Sequence, residues 1–157
     1  MKEIALWLLD KLMFTIPGIL LRIFYPPKKI AGQVRIDLRG EKPINPSLGS
    51  SVPHLDLYFE ITNLSNLDLT LDRMLLDLWF GQPLLNGAIL RRHPIPARST
   101  IQDIYFRSDL TTKQIQQIEP YLRESPPSGS ITLSTLAYFE SKVGVIEVEK
   151  RFERRKV

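Results

Sequence analysis

The sequence predicts a mainly β protein: an antiparallel β-sandwich of about seven strands with one short late helix, preceded by an apolar helical segment. Between residues 4 and 25 the chain is almost continuously apolar, whereas after residue 30 apolar and polar residues alternate in short runs bounded by turn residues. A length of 157 residues suits one domain with an appendage. We therefore divide the chain into an N-terminal helical anchor, residues 1–29, and a β domain with a basic C-terminal tail, residues 30–157.

The charge is distributed in three blocks. Residues 1–39 carry a net charge of +4, residues 40–149 carry −4 and residues 150–157 carry +4. A nucleic-acid-binding domain spreads basic residues over its folded face, so an acidic body argues against nucleic acid as a partner. The basic ends suit anionic lipid headgroups instead. The chain has no cysteine, which excludes disulfides and thiolate metal sites.

The N-terminal segment Ile4–Tyr25 is predicted to be a helix with a wide apolar face, because Lys11 and Arg22 fall within one narrow sector of it. Pro17 lacks an amide hydrogen and should kink the helix or divide it in two. Asp10 and Lys11 would each cost about 2.5 to 3.5 kcal/mol inside the hydrocarbon. The sequence therefore favours an amphipathic anchor that lies in the membrane interface or re-enters it over a simple span.

The same apolar face would also pack against a partner protein or against the chain's own sandwich. If the helix does span once, the basic residues after it place the folded domain in the cytoplasm. The predicted membrane or partner contacts are Trp7, Leu8, Leu9, Leu12, Met13, Phe14, Ile16, Leu20, Leu21, Phe24 and Tyr25. The predicted basic contacts are Arg22, Lys28, Lys29, Arg151, Arg154, Arg155 and Lys156.

The clearest strand is His54–Asn63, in which alternate residues are apolar, so that one face enters the core and the other meets water. The stretch Glu41–Pro53 has two internal prolines and no strand signal, and we expect a loop there. The change of phase near Asp72 indicates a bulge. The remaining predicted strands are Ile30–Leu38, Leu67–Phe80, Gly87–Leu90, Thr100–Arg107, Gly129–Glu140 and Val145–Phe152.

One helix interrupts the strands. Thr111 is a helix cap and Gln114, three residues later, completes a capping box. Pro120 should end this helix or change it to a turn. The residues expected to face inward are Ile115, Ile118 and Leu122.

The stretch Phe59–Phe106 resembles the type 2 late-embryogenesis-abundant family, also called the water-stress and hypersensitive-response domain. In that family a strand ends in Asn, an alternating strand and two glycines follow, and a Pro leads to the next strand; Asn63, Gly81, Gly87 and Pro96 match these places. The resemblance extends loosely from about residue 33 to the C-terminus. It implies a fibronectin-III-like or immunoglobulin-like sandwich, stress-protection or membrane-associated roles, and no catalytic residues.

Side chains that could carry chemistry are few. His54 and His93 are the two histidines, and neither has a metal-ligand partner at a suitable spacing. Asp56 and Glu60 share a strand face but are about 13 Å apart, which favours a solvated polar face over an acid-base pair. A Ser-His-Asp arrangement could still form in space, although no G-x-S-x-G turn is present. We expect no cofactor and identify no small-molecule substrate.

The sequence thus favours a non-enzymatic, membrane-associated binding or scaffolding module, and the family resemblance implies a stress-related role. The alternative is a structural subunit of a larger assembly, with the N-terminal helix buried in a partner protein. An enzyme whose site forms only in three dimensions is the third hypothesis.

Overall fold

The computed structural model describes residues 18–40, 44–123 and 130–154, and within these ranges the protein is mainly β. Two short helices come first, and a third lies between the strands. The helices are α1 (Gly18–Phe24), α2 (Pro27–Ala31) and α3 (Thr112–Leu122). The strands are β1 (Val34–Leu38), β2 (Ile44–Ser47), β3 (His54–Asn63), β4 (Leu69–Phe80), β5 (Gln82–Ile89), β6 (His93–Ile95), β7 (Ser99–Asp109), β8 (Ile131–Ser141) and β9 (Gly144–Arg154).

The first antiparallel sheet is built on β3. Strand β7 pairs with β3 from one end to the other, so β1 and β2 must share the opposite edge. They follow one another along it, with Val34 opposite Asn63 and Ile44 opposite Leu57. The four strands therefore occupy three positions.

The second antiparallel sheet is built on β4. Strands β8 and β9 follow on one side, and β5 and β6 share the other edge, with Met74 opposite Ile89 and Leu69 opposite Ile95. The five strands occupy four positions. The described residues thus form nine strands in seven strand positions, against about seven strands expected from the sequence.

A single hydrophobic core takes side chains from both sheets and gives the protein a β-sandwich-like architecture. The predicted alternation of β3 is confirmed, because its apolar members are fully buried. The predicted bulge is also confirmed: the register of β4 against β8 shifts between Leu71 and Arg73, on either side of Asp72. The largest fully buried side chains are Phe59, Phe139, Leu21, Ile30, Ile36, Leu55, Leu57, Ile61, Leu69, Leu71, Met74 and Leu76.

Several strand boundaries differ from the prediction. Ile30 lies in α2 and not in the first strand, because a proline at the start of α2 presets a helical turn. The expected loop before β3 contains β2, where Pro46 is tolerated because an edge strand can lack one donor. Strand β5 begins at Gln82 and carries Pro83 on an edge in the same way. Strand β6 has three residues, too few for an alternating pattern to be recognised.

Helix α3 carries the predicted capping box. The Gln114 amide donates to the Thr111 hydroxyl (3.4 Å), and the Thr111 amide donates to the Gln114 side chain (2.9 Å). The helix does not end at Pro120, however, but continues to Leu122, because the proline stands in the last turn and few backbone bonds lie beyond it. Ile118 is buried as predicted and Ile115 is partly buried, whereas Leu122 faces solvent.

The fully buried side chain of Asn63 joins two loops at one end of the domain. Its amide nitrogen donates to the carbonyl oxygens of Leu67 (2.8 Å), Pro96 (3.1 Å) and Ile95 (3.3 Å). Its oxygen accepts from the amide (3.0 Å) and the hydroxyl (2.7 Å) of Ser65. One side chain thus holds the loop between β3 and β4 against the turn between β6 and β7.

Replacing Asn63 by Ala should lower the free energy of unfolding by about 2 to 3 kcal/mol, because buried carbonyl and hydroxyl groups lose their partner. Chemical denaturation of both proteins measures the difference. Asn86→Ala, at an exposed position of β5, is the matched control and should change stability by less than about 0.5 kcal/mol. Equal stability of the two variants would show that the Asn63 bonds contribute nothing.

Candidate functional site

Helix α1 presents an apolar face to solvent. Leu20, Ile23 and Phe24 have exposed fractions of 49%, 70% and 67%, whereas Leu21 is 2% exposed. At about 100° per residue the three exposed side chains fall within one arc of the helix, and Leu21 points away from it. Three adjacent large apolar side chains exposed to water form a candidate contact surface.

The opposite side of α1 is fixed to the turn between β8 and β9. The Arg22 Nε donates to the carbonyl oxygen of Val143 (2.6 Å), and Leu21 enters the core. A Cβ on Gly18 would lie 2.4 Å from the carbonyl oxygen of Lys142, so only glycine permits this approach. Helix α1 is therefore part of the folded domain and holds its apolar face in a defined orientation.

This packing corrects one expectation from the sequence. Leu21 was expected to contact lipid or a partner, but its side chain packs in the protein's own core, because it is on the inner side of α1. Leu21 and Ile30, which lie on either side of the predicted boundary at residue 29, belong to the same core.

Basic residues follow the apolar face directly. Lys28 and Lys29 are exposed on α2, and the Lys29 ammonium lies 5.9 Å from the centre of the Tyr25 ring. Tyr25 packs partly against the core. Exposed apolar side chains beside lysines and an aromatic ring are typical of a membrane interface.

Strand pairing shows which other segments share this end of the domain. Asn63 at the end of β3 pairs with Ser99 at the start of β7, and Thr70 near the start of β4 pairs with Glu140 near the end of β8. The connections beside these pairs therefore lie at one end of both sheets. This end, here called the α1 end, comprises residues 18–25, 64–68, 96–98 and 142–143.

Arg151 is the predicted basic C-terminal contact whose side chain the structure describes. Strand β9 starts at Gly144, beside α1, and its last residue pairs with Ile131 at the opposite end of β8. At about 3.3 Å per residue, Arg151 is about 23 Å along the strand from Gly144. Arg151 also forms an ion pair with Glu153 (2.9 Å). Arg151 is therefore far along β9 from the β8–β9 turn to which α1 is fixed.

The side chain of Arg154 is not described, and Trp7, Leu8, Leu9, Leu12, Met13, Phe14, Ile16, Arg155 and Lys156 lie outside the described residues. Among the helices in residues 18–40, 44–123 and 130–154, none has the length and apolar character needed to cross a bilayer.

Apart from the α1 end, the structure contains an ion pair between Asp56 on β3 and Arg107 on β7. The Arg107 Nε and Nη2 donate to the two oxygens of Asp56 at 2.7 and 3.1 Å. Asp56 is only 4% exposed, so the expected solvated face is wrong at this position: the guanidinium replaces water around the carboxylate. The Arg107 hydrogen bond holds the pKa of Asp56 below its ordinary value, against the opposing effect of burial.

The sequence missed this pair, although each strand was predicted. Asp56 and Arg107 are directly opposite in the register of β3 and β7, on the outer face of the sheet. Opposite charges at outward positions of two strands were the available signal. It could be used only with the knowledge that these strands are neighbours.

The structure brings Ser50, His54 and Asp56 together, but not as a catalytic triad. The His54 Nδ1 is 2.9 Å from the carbonyl oxygen of Val52 and 3.4 Å from the Ser50 Oγ, and the Ser50 hydroxyl is also bonded to Val52. The His54 Nε2 is 3.6 Å from Asp56, which Arg107 already engages. A neutral imidazole that donates to Val52 through Nδ1 cannot accept the serine proton there. This geometry suits a capped strand end.

Arg107→Gln should destabilise the protein at neutral pH, because Asp56 then keeps a buried charge without its partner. Since the folded-state pKa of Asp56 is lowered, the stabilisation is present above the unfolded pKa and is lost as the pH falls through the folded value. Unfolding measured against pH should therefore show the difference shrinking below about pH 4. The control is Arg35→Gln, which removes an exposed ion pair. If the difference in the free energy of unfolding between the wild type and Arg107→Gln did not change with pH, the Asp56–Arg107 pair would not be its cause.

Two leucines of α1 provide a matched test of its packing. Leu21→Ala should lower the free energy of unfolding by about 2 to 5 kcal/mol, because it leaves a cavity in the core. Leu20→Ala, one residue earlier and half exposed, should change it by less than about 0.5 kcal/mol. Equal effects in thermal or denaturant unfolding would mean that α1 does not pack on the domain in solution.

No family model matches the chain, and no curated protein matches it. Among solved structures, a structural-genomics target is similar with 14% identity and a TM-score of 0.49, over 77% of this chain and 84% of that one. A protein from Archaeoglobus fulgidus has 10% identity and a TM-score of 0.45, over 79% and 97% of the two chains. The red sea bream transglutaminase has 11% identity and a TM-score of 0.42, over 80% of this chain and 17% of that one. These likenesses are too distant to support a conclusion about function.

Proposed function

We propose that the protein is a non-enzymatic binding or scaffolding module that attaches to an anionic membrane surface through its α1 end. The observation that carries the proposal is the exposed face of Leu20, Ile23 and Phe24, followed by Lys28 and Lys29, on helices fixed to the domain. The basic residues after the apolar segment favour the cytoplasmic side for the folded domain.

The energies are of the right order for reversible attachment. Moving a large exposed apolar side chain out of water gains about 1.5 to 3 kcal/mol, and each lysine near an anionic surface adds about 1 kcal/mol. The exposed face of α1 would therefore contribute several kcal/mol. The apolar residues that precede α1 in the sequence would add to this.

The orientation of α1 supports a scaffolding role. Because Leu21 and Arg22 fix the helix to the β8–β9 turn, a membrane bound by the exposed face would hold the sheets in one orientation. The end of the domain that carries α3 would then face away from the membrane. A partner would find that end, and the sides of the sheets, free to bind.

We also propose a fibronectin-III-like sandwich of the type 2 late-embryogenesis-abundant kind, with the stress-related role that this implies. The arrangement of three and four strand positions supports it. So do the places of the matched residues: Asn63 binds the carbonyl of Pro96, Gly81 has φ +67°, and Gly87 lies against Phe106. The hydrogen bonds of Ser50 and His54 support the non-enzymatic part.

Flotation of the full chain with liposomes tests the attachment. Ile23→Ser with Phe24→Ser should reduce binding to vesicles of phosphatidylcholine and phosphatidylserine by about tenfold or more, because most of the exposed apolar face is removed. The matched control is Val52→Ser with Leu122→Ser, two exposed apolar residues at the opposite end of the domain, and it should bind as the wild type does. Lys28→Gln with Lys29→Gln should weaken binding to anionic vesicles alone.

Equal recovery of the wild type and the Ile23→Ser/Phe24→Ser variant in the soluble fraction would contradict membrane attachment. If the same variant instead released the native protein from a defined hetero-complex, the exposed face would be the contact with a protein partner. That outcome would favour the structural subunit of a larger assembly.

A further inference from the structure

An open groove of about 320 Å³ lies along the side of the domain, between β7 of the first sheet and the β5–β6 connection of the second. It is here called the β7 groove. Among the described residues, α1, α2 and Asn63 do not contribute to it. The groove is lined by Ala88, Ile89, Leu90, Arg91, His93, Asp103, Tyr105, Phe106 and Arg107.

The groove follows from how the two sheets meet. Strands β5 and β6 both pair with β4, but residues 90–92 between them leave that edge. Beside this gap the Phe106 ring lies against Gly87, where a Cβ would be 2.3 Å from the ring. Glycine thus lets β7 approach β5 closely, and the connection between β5 and β6 forms the other wall.

Two guanidinium groups reach this space. Arg91 is exposed and has no ion-pair partner among the residues that the structure describes. Arg107 gives two of its N–H groups to Asp56, which fixes the plane of the guanidinium. An arginine has five N–H donors, so Arg107 keeps donors for a ligand.

His93 contributes an imidazole to the wall of the groove, and the residue is 7% exposed. Every buried side-chain nitrogen and oxygen among the described residues has a hydrogen-bond partner, so the ring nitrogens of His93, which bond to no other described residue, are accessible to solvent. An accessible imidazole nitrogen can exchange a hydrogen bond with water for one with a bound ligand.

The other lining residues define what the ligand carries besides charge. Ile89 is buried and Phe106 is half-buried, while Leu90 and Tyr105 are largely exposed beside them. Asp103 is the one acid in the lining, against Arg91 and Arg107. With Asp56 bound to Arg107, the charges of Arg91, Arg107, Asp103 and Asp56 sum to zero, so the groove offers an anion unused N–H donors beside an apolar and aromatic surface.

We propose that the β7 groove binds an anionic group, a carboxylate or a phosphate, carried on an apolar or aromatic moiety. Arg91 and Arg107 donate to the anion, His93 completes its hydrogen bonds, and Leu90, Tyr105 and Phe106 contact the apolar part. The site does not depend on membrane attachment. It adds to the proposed binding function a defined class of ligand, an anionic group on an apolar or aromatic moiety.

Titration of the full-length protein followed by NMR tests the proposal, with phenyl phosphate, 3-phenylpropionate and inorganic phosphate as probes. We expect saturable shifts of the His93 imidazole and the Arg91 amide with the first two probes, and weaker binding of inorganic phosphate, which lacks the apolar part. The better of the two organic probes identifies the anion that the groove prefers.

Arg91→Gln should weaken binding of the better probe by about tenfold, because one charge-assisted hydrogen bond is lost. His93→Gln should weaken it as well, and Arg35→Gln, on β1, should leave it unchanged. Because Arg91 is exposed, its variant keeps the test valid even if His93→Gln fails to fold. The proposal is overturned if no probe gives a saturable shift up to about 10 mM, or if Arg91→Gln binds as tightly as the wild type.

Discussion

The hydrogen bonds of the buried Asn63 side chain are the interaction on which the α1 end depends. Strand β3 belongs to one sheet and β4 to the other, so the loop between them is where the chain crosses the core. By binding Ser65 and Leu67 on one side and Pro96 on the other, Asn63 ties this crossing to the turn that returns the chain to the first sheet. A buried amide with all these partners has few alternative arrangements, so the relative position of the two sheets is specified there.

In helix α1, the buried contacts determine which side chains are exposed. Leu21 is stabilised by burial and Arg22 by a bond to Val143, and these contacts leave the neighbouring side chains no place except solvent. Exposure of Ile23 and Phe24 would otherwise be unfavourable in water. The proposed membrane attachment would relieve this exposure, and the close approach at Gly18 would transmit the orientation of the bound helix to the sheets.

Arg107 links the stability of the domain to the proposed ligand site. Its charge compensates the buried carboxylate of Asp56, and Asp56 in turn holds the guanidinium against the outer face of the sheet. An arginine placed in this way has already lost much of its side-chain freedom, so binding an anion in the β7 groove would cost less entropy. Because both oxygens of Asp56 accept hydrogen bonds from Arg107, Asp56 is not available to orient His54 as it would in an acid-base site.

The sequence by itself determined the elements whose signals are local: the alternation that buries one face of β3, the capping box of α3, and the change of phase at Asp72. Short edge strands such as β6 could not be identified from the sequence, because an alternating pattern cannot be recognised over three residues. Only the tertiary structure decided which side of α1 enters the core, since Leu21 and its exposed neighbours are equally apolar. It also decided the pairing of Asp56 with Arg107, which are 51 residues apart, and the grouping of Arg91, His93 and Arg107 around one groove. The physical reason is that such contacts depend on which strands become neighbours, and this is set by the packing of the two sheets and not by any local run of residues.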